Sequence, residues 1–359
     1  MLSFKNTIYT VLSLGIGVFL VWLILTVTPV SVEQIFDKLQ HLNVIFVGCV
    51  ILSTFTHLWL SAYKWRLITE KLTKNNERSP KFYLSYMILA NLVIQFLPQH
   101  IGMTFVQSFA VKLHKIGSLS KGVFSVIYDQ LLNILIPILL LPPSVLFILG
   151  KISLSLAIFI YLGILLLAHY VITQWHKPLI IFTVEKSWQL KQLLSKNKIS
   201  GTVENNISDI PILSTRFTLR LFWLSVLRHI NWTLRSFFVV LAGNFAIKFW
   251  SILFTINIVQ SAMLVSITPA NLGFMEWSWI GSLALLGVPA VETGNFAILQ
   301  RIITLASIVL IALIFWALAF FHKLTKSKPV SYTHLRAHET VVRISYAVFC
   351  LKKGGGGGG

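Results

Sequence analysis

The sequence is short of charge, of acid and of cysteine. Only 11% of its 359 residues are charged, where a soluble domain carries about 25%. With 56% hydrophobic residues and a mean hydropathy of +0.79, such a chain cannot cover a surface facing water, which excludes a soluble globular enzyme. Two cysteines, Cys49 and Cys350, allow no disulfide framework. The sequence holds no His/Cys/carboxylate cluster suited to a metal, no glycine-rich phosphate loop and no Ser/His/Asp arrangement. No metal or cofactor is therefore expected. ATP-driven work by this chain alone is disfavoured, and no catalytic constellation marks it as an enzyme.

What is present instead is a series of long apolar runs. A transmembrane helix needs roughly 20 apolar residues, and the runs 8–28, 43–63, 122–141, 154–174, 217–243 and 296–322 meet that length. The first lacks a small-residue cleavage site and reads as an uncleaved anchor. Two further apolar regions are interrupted. Residues 82–111 break at Leu97-Pro98-Gln99-His100-Ile101-Gly102, and residues 245–286 break at Thr268-Pro269-Ala270-Asn271-Leu272-Gly273. Proline removes a helix hydrogen bond and glycine permits non-helical turns. Each region therefore reads as a re-entrant helical hairpin, with Pro98, Gly102, Pro269 and Gly273 at the turns. Broken backbone at membrane depth needs protein or a wet cavity around it.

Charge assigns the sides. A surplus of +19 would suggest nucleic acid in a soluble protein. Here the basic residues sit in short connections, as the positive-inside rule requires, and no nucleic acid partner is implied. Six Lys/Arg fall in 64–81, three flank the other end of the first hairpin, seven fall in 176–220 and three fall in 323–328. With Lys5 these make 20 inside, against Lys38, Lys151 and Lys248 outside. That bias survives only if 82–111 returns to the side it entered. The expected fold class is thus an all-α polytopic membrane protein with about six full transmembrane helices, two re-entrant hairpins and both termini cytoplasmic.

The two interruptions match at an offset of 171 residues: Pro98-x-x-Ile101-Gly102 aligns with Pro269-x-x-Leu272-Gly273, and Asp129-Gln130 with Gln300-Arg301. This suggests an inverted repeat, an architecture that puts substrate near the bilayer midplane at discontinuous helices. Two peripheral helices are also expected. One follows the capping-box spacing Ser31-Val-Glu-Gln34, and the other is an interfacial helix over 178–195. Residues 329–359, ending in six glycines, resemble translated sequencing-adaptor read-through followed by a homopolymer. They are read as a non-native tail on a membrane domain spanning 1–328.

With these features in view, the chain resembles the flippase-like transmembrane family of lysylphosphatidylglycerol synthases over residues 3–326. The residues that carry the resemblance are Tyr63-Lys64-Trp65-Arg66, Asn91, Leu97-Pro98-x-x-Ile101-Gly102 and Asp129. In the second half they are Thr268-Pro269-x-x-Leu272-Gly273-x-x-Glu276, Leu286-Gly287-Val288-Pro289 and Arg301. The resemblance implies a bacterial inner-membrane protein that binds or translocates a lipid, either an anionic phospholipid or a polyprenyl-linked intermediate. No synthase domain follows, so lipid synthesis is not implied. The chain departs from the family pattern where Ala270-Asn271 replace Gly-Gly, Met275 replaces a basic residue, Met103 and Gln107 replace an acid and an arginine, and Gln130 replaces an arginine.

Ionisable residues inside lipid are costly and are functional candidates by default: Asp129, Arg228, Arg235, Glu276 and Arg301. At about 100° per residue, Arg220, Asn231, Arg235 and Arg228 fall at about 0°, 20°, 60° and 80° on one helix face. Arginine forks match phosphate oxygens, so the stripe either borders a headgroup path or is tied up by snorkelling and internal pairing. Glu276 with Arg301 reads as a buried pair holding the fold or as a substrate contact. His100 and Asn271, at equivalent tip positions, either satisfy freed backbone groups or touch a headgroup. The expected activity is lipid binding with transbilayer movement. The alternative is a non-transporting scaffold that partners a separate lipid-modifying or glycosyl-transferring enzyme.

Overall fold

The computed structural model describes residues 15, 19, 20, 22, 23, 26, 30–194, 213–265 and 268–326, with backbone alone for 175–194, 265 and 322–326. The first expected span lies outside these residues save for its six described positions, all helical, and the expected tail 329–359 lies outside entirely. The described residues contain α-helix and no strand. The chain divides into two compact units, Met1–Ile311 and Ala312–Gly359.

The helices are α1 (Val32–Gln40), α2 (Val44–Thr73), α3 (Pro80–Val93), α4 (Gln99–Leu113), α5 (Leu119–Ile148), α6 (Leu154–Leu194), α7 (Thr215–Ala242) and α8 (Phe249–Val265). A 3₁₀ turn (Pro269–Asn271), α9 (Phe274–Leu285) and α10 (Ala290–Lys326) complete them. Among the described residues, four stretches are long and apolar enough to cross a membrane: Val44–Thr73, Leu119–Ile148, Leu154–Gln174 and Ala290–Phe321. At 28 residues α7 is about 42 Å long and could also cross, but four arginines keep it out of that apolar set. In lipid a helix has no reason to hide its apolar side chains, and α6 turns Phe159, Leu162 and Leu166 outward.

Capping explains the starts. Gln34 N donates to Ser31 Oγ at 3.1 Å and Ser31 N to Gln34 Oε1 at 3.4 Å, so the expected capping box opens α1. Leu39, in α1, and Leu42, just beyond it, pack on the core formed by α7, α8, α9 and the start of α10.

Three boundaries differ from expectation. Helix α2 runs ten residues past 63, because nothing in Lys64–Thr73 breaks a helix; Lys64 is buried rather than in a cytoplasmic loop. Helix α6 is unbroken to Leu194, so the expected interfacial helix 178–195 is its continuation. Helix α3 stops at Val93 and α4 starts after Pro98, which places Gly102 inside α4 instead of at the turn. What Gly102 provides is closeness: a Cβ there would lie 2.9 Å from Ile94 Cγ2.

The offset of 171 extends through the whole architecture. Added to the bounds of α2, α3, α4 and α5 it gives 215–244, 251–264, 270–284 and 290–319, beside the observed 215–242, 249–265, 269–285 (3₁₀ turn plus α9) and 290–326. The two leading helices, α2 and α7, pack antiparallel: Ser53 meets Asn231, Ser61 meets Arg228 and Tyr63 meets Arg220.

Candidate functional site

The two broken segments meet at their tips. Ala270 N donates to Ile94 O at 3.0 Å, and Asn271 Nδ2 donates to Gln99 Oε1 at 2.8 Å. The first bond joins backbone groups where the helices are interrupted, and the second joins two side-chain amides. Asn271 thus ties tip to tip, and His100 binds a side chain, Gln130 Oε1, at 3.0 Å. Neither side chain satisfies its own tip's backbone.

The second tip is held by charge. Glu276 is 2% exposed. It accepts Gly273 N at 2.8 Å and forms an ion pair with Arg301 Nε. Arg301 Nη2 reaches Ala270 O at 3.2 Å. Backbone φ is positive at Ala270 (54°), Asn271 (55°) and Gly273 (85°), a conformation natural to glycine. A Cβ on Gly273 would also lie 2.3 Å from Leu20 Cβ. Glu276 and Arg301 are occupied in fixing this turn, and their geometry is that of a structural pair.

Asp129 has a different partner. Lys64, 1% exposed, lies 3.0 Å from Asp129 Oδ1. Its ammonium also donates to Asn133 Oδ1 and Ser225 Oγ, and Asn133 Nδ2 donates to Asp129 Oδ2 at 3.0 Å. A buried charge is tolerated when it is paired and hydrogen-bonded, and all of these contacts are needed. Lys64 is the site residue that sequence reasoning missed, having been counted as loop charge. The signal was available: the offset of 171 maps Lys64 onto Arg235.

Beside this pair lies a cavity of about 60 Å³, room for a few waters. Its polar wall comes from α2 (Ser61), α4 (Gln99, His100, Gln107), α5 (Asp129, Gln130, Asn133), α7 (Arg228, Trp232) and α8 (Gln260), and Met87 of α3, Met103, Ile134, Pro137, Met263 and Leu264 make up the apolar remainder. The lining is rich in donors. Arg228, at the middle of α7, forms no direct ion pair among the described residues, although the Asp129 carboxylate acts on it electrostatically, and it donates to Ser61 Oγ at 3.3 Å. The Nε2 groups of Gln130 and Gln260 have no acceptor among the described residues. Since Lys64 neutralises Asp129, the net charge of the group is that of Arg228.

The arginine stripe divides along α7. Arg220, exposed, donates to Tyr63 OH and stacks over its ring. Arg228 faces the cavity. Arg235, 6% exposed, lies 5.5 Å from the Trp232 ring centroid, and its Nε has no acceptor. Among the described residues, no group of three or more metal-ligating side chains occurs.

Residues 10–327 match the family model described as the lysylphosphatidylglycerol synthase TM region. The chain belongs to this family. Membership puts it among multi-pass membrane proteins of phospholipid metabolism or translocation, and the match includes no synthase domain. Searches among curated proteins and among solved structures each returned no match.

Proposed function

We propose that this protein binds an anionic lipid and carries its headgroup across the bilayer, without catalysing a reaction. The observation behind this reading is the donor-lined cavity beside the Arg228 midpoint of α7, whose one carboxylate is already paired with Lys64. Such a site favours an anion, and a phosphate can accept from a guanidinium and two amides together. The apolar helices around it put the cavity at membrane depth, where irregular backbone is tolerated only beside protein or water.

Topology follows the charge bias: inner membrane, both termini cytoplasmic, and α3–α4 and α8–α9 as hairpins entering from opposite sides. Lys64 moves from the loops to the interior, which leaves 19 of the 20 basic residues inside, and the bias stands.

The test is leaflet exchange of a fluorescent phosphatidylglycerol in proteoliposomes, with the lipids that co-purify identified by mass spectrometry. The parent is expected to accelerate exchange and Arg228→Gln to weaken lipid binding at least tenfold. A parent that binds lipid but moves none, and that co-purifies with a lipid-modifying enzyme, supports the scaffold reading instead.

A further inference from the structure

The two halves of the chain treat one buried cation differently. In the first half, Lys64 in α2 is neutralised by Asp129 in α5, 3.0 Å away. An offset of 171 residues carries Lys64 to Arg235 in α7 and Asp129 to Gln300 in α10. Gln300 is neutral, and its amide is turned to Ser236 Oγ at 3.1 Å. Arg235 therefore has the burial of Lys64 without its carboxylate: it is 6% exposed, and no acidic side chain among the described residues pairs with it. A buried guanidinium with no anion is unfavourable unless an anion visits it.

Access is through Trp232. That indole lines the Arg228 cavity and has the Arg235 guanidinium over its ring at 5.5 Å. His57 meets the same ring edge-on at 5.7 Å. Arg228 and Arg235 are seven residues apart, about 10 Å along the helix, and fall on the same face.

We propose that Arg235 is a second anion station, reached from the Arg228 cavity by swinging the Trp232 indole aside, so that a lipid phosphate passes between two guanidiniums along α7. This rests on the lipid-transport reading above and adds the step after initial binding. Gln300 stands where the first half has Asp129, which leaves the station without a carboxylate at that position. Placing a carboxylate there fills it from within.

The experiment uses the full-length protein in two assays: binding of a short-chain, water-soluble phosphatidylglycerol in detergent, and leaflet exchange of its fluorescent long-chain analogue in proteoliposomes. Arg235→Gln and Gln300→Glu are both expected to lose the second station while still binding the short-chain probe at the Arg228 site, and to exchange at least tenfold more slowly than the parent. Arg235→Lys, which keeps the charge, recovers most of the exchange. Gln300→Glu removes no arginine and adds a partner, so its thermal stability should equal or exceed the parent's; this separates lost transport from lost folding. If Arg235→Gln and Gln300→Glu both exchange at the parent's rate, Arg235 is a structural cation and the second station is refuted, with the Arg228 site untouched. A parent that moves no lipid overturns the transport reading and this proposal with it.

Discussion

The halves α2–α5 and α7–α10 share element bounds at one offset, yet each keeps a different ion pair. The first half holds its helices together through Lys64–Asp129 and leaves the tip of its broken segment uncharged, with Gln130 at the position equivalent to Arg301. The second half staples its tip through Glu276–Arg301 and leaves Arg235 without a carboxylate. The polar cavity opens beside the unstapled tip. In a repeat protein, a pair removed from one copy becomes a place where something else can bind. The surviving copy shows how that space would otherwise be filled.

That contrast can be broken from either side. The largest effect is expected from Asp129→Leu, which leaves Lys64 buried and unpaired. Removing one member of a buried pair costs about 3–5 kcal/mol, read as a lower unfolding midpoint in detergent. The double variant Lys64→Met/Asp129→Leu should recover most of the loss, since an apolar pair of similar volume replaces both charges. Next is Arg301→Gln, which deprives Glu276 of its cation and Ala270 O of a donor, at about 2–3 kcal/mol. Hydrogen exchange across 268–274 should accelerate, while exchange at 94–102 changes less unless the tip contact breaks.

A carboxylate–arginine pair built beside the first tip, with only the arginine at the position equivalent to its second-half counterpart, sharpens the comparison. Met103 and Gln130 both line the cavity, so Met103→Glu/Gln130→Arg is expected to build an ion pair there. Short-chain phosphatidylglycerol binding should fall at least tenfold, about 1.4 kcal/mol, with little change in stability. The smallest effect is Ala270→Gly. An L-residue in the left-handed region costs roughly 1–2 kcal/mol, partly offset by the unfolded-state entropy of glycine. A net gain of about 0.5–1 kcal/mol in thermal stability is expected, and a loss would mean the turn does not need φ of 54° there.

Much of the frame was readable from residues alone. Apolar runs located α5, α7 and α10 to within a few residues at their starts or ends, and the Ser31–Gln34 spacing gave the α1 cap. The breaks around Pro98 and Pro269 were visible because proline and left-handed residues interrupt a helix locally. Helix ends without such markers were not. Lys64–Thr73 looks like a charged loop by hydropathy, but its residues favour helix and tertiary contacts bury its lysine. Gly102 was assigned to a turn because glycine alone cannot distinguish a turn from a close approach; only the position of Ile94 decides.

For the site, the sequence could name Asp129, Arg228, Arg235, Glu276 and Arg301, because a charge within an apolar run is visible without any structure. It could not say which of them are satisfied. Periodicity along one helix is a local property, set by backbone geometry that each residue carries with it. Pairing depends on which helices pack together, and contacts such as Lys64 with Asp129 or Asn271 with Gln99 join residues far apart in the chain. Composition and spacing therefore determined a helical membrane protein with two broken segments. Only the tertiary structure decided which buried charges neutralise each other and which remain free to hold an anion.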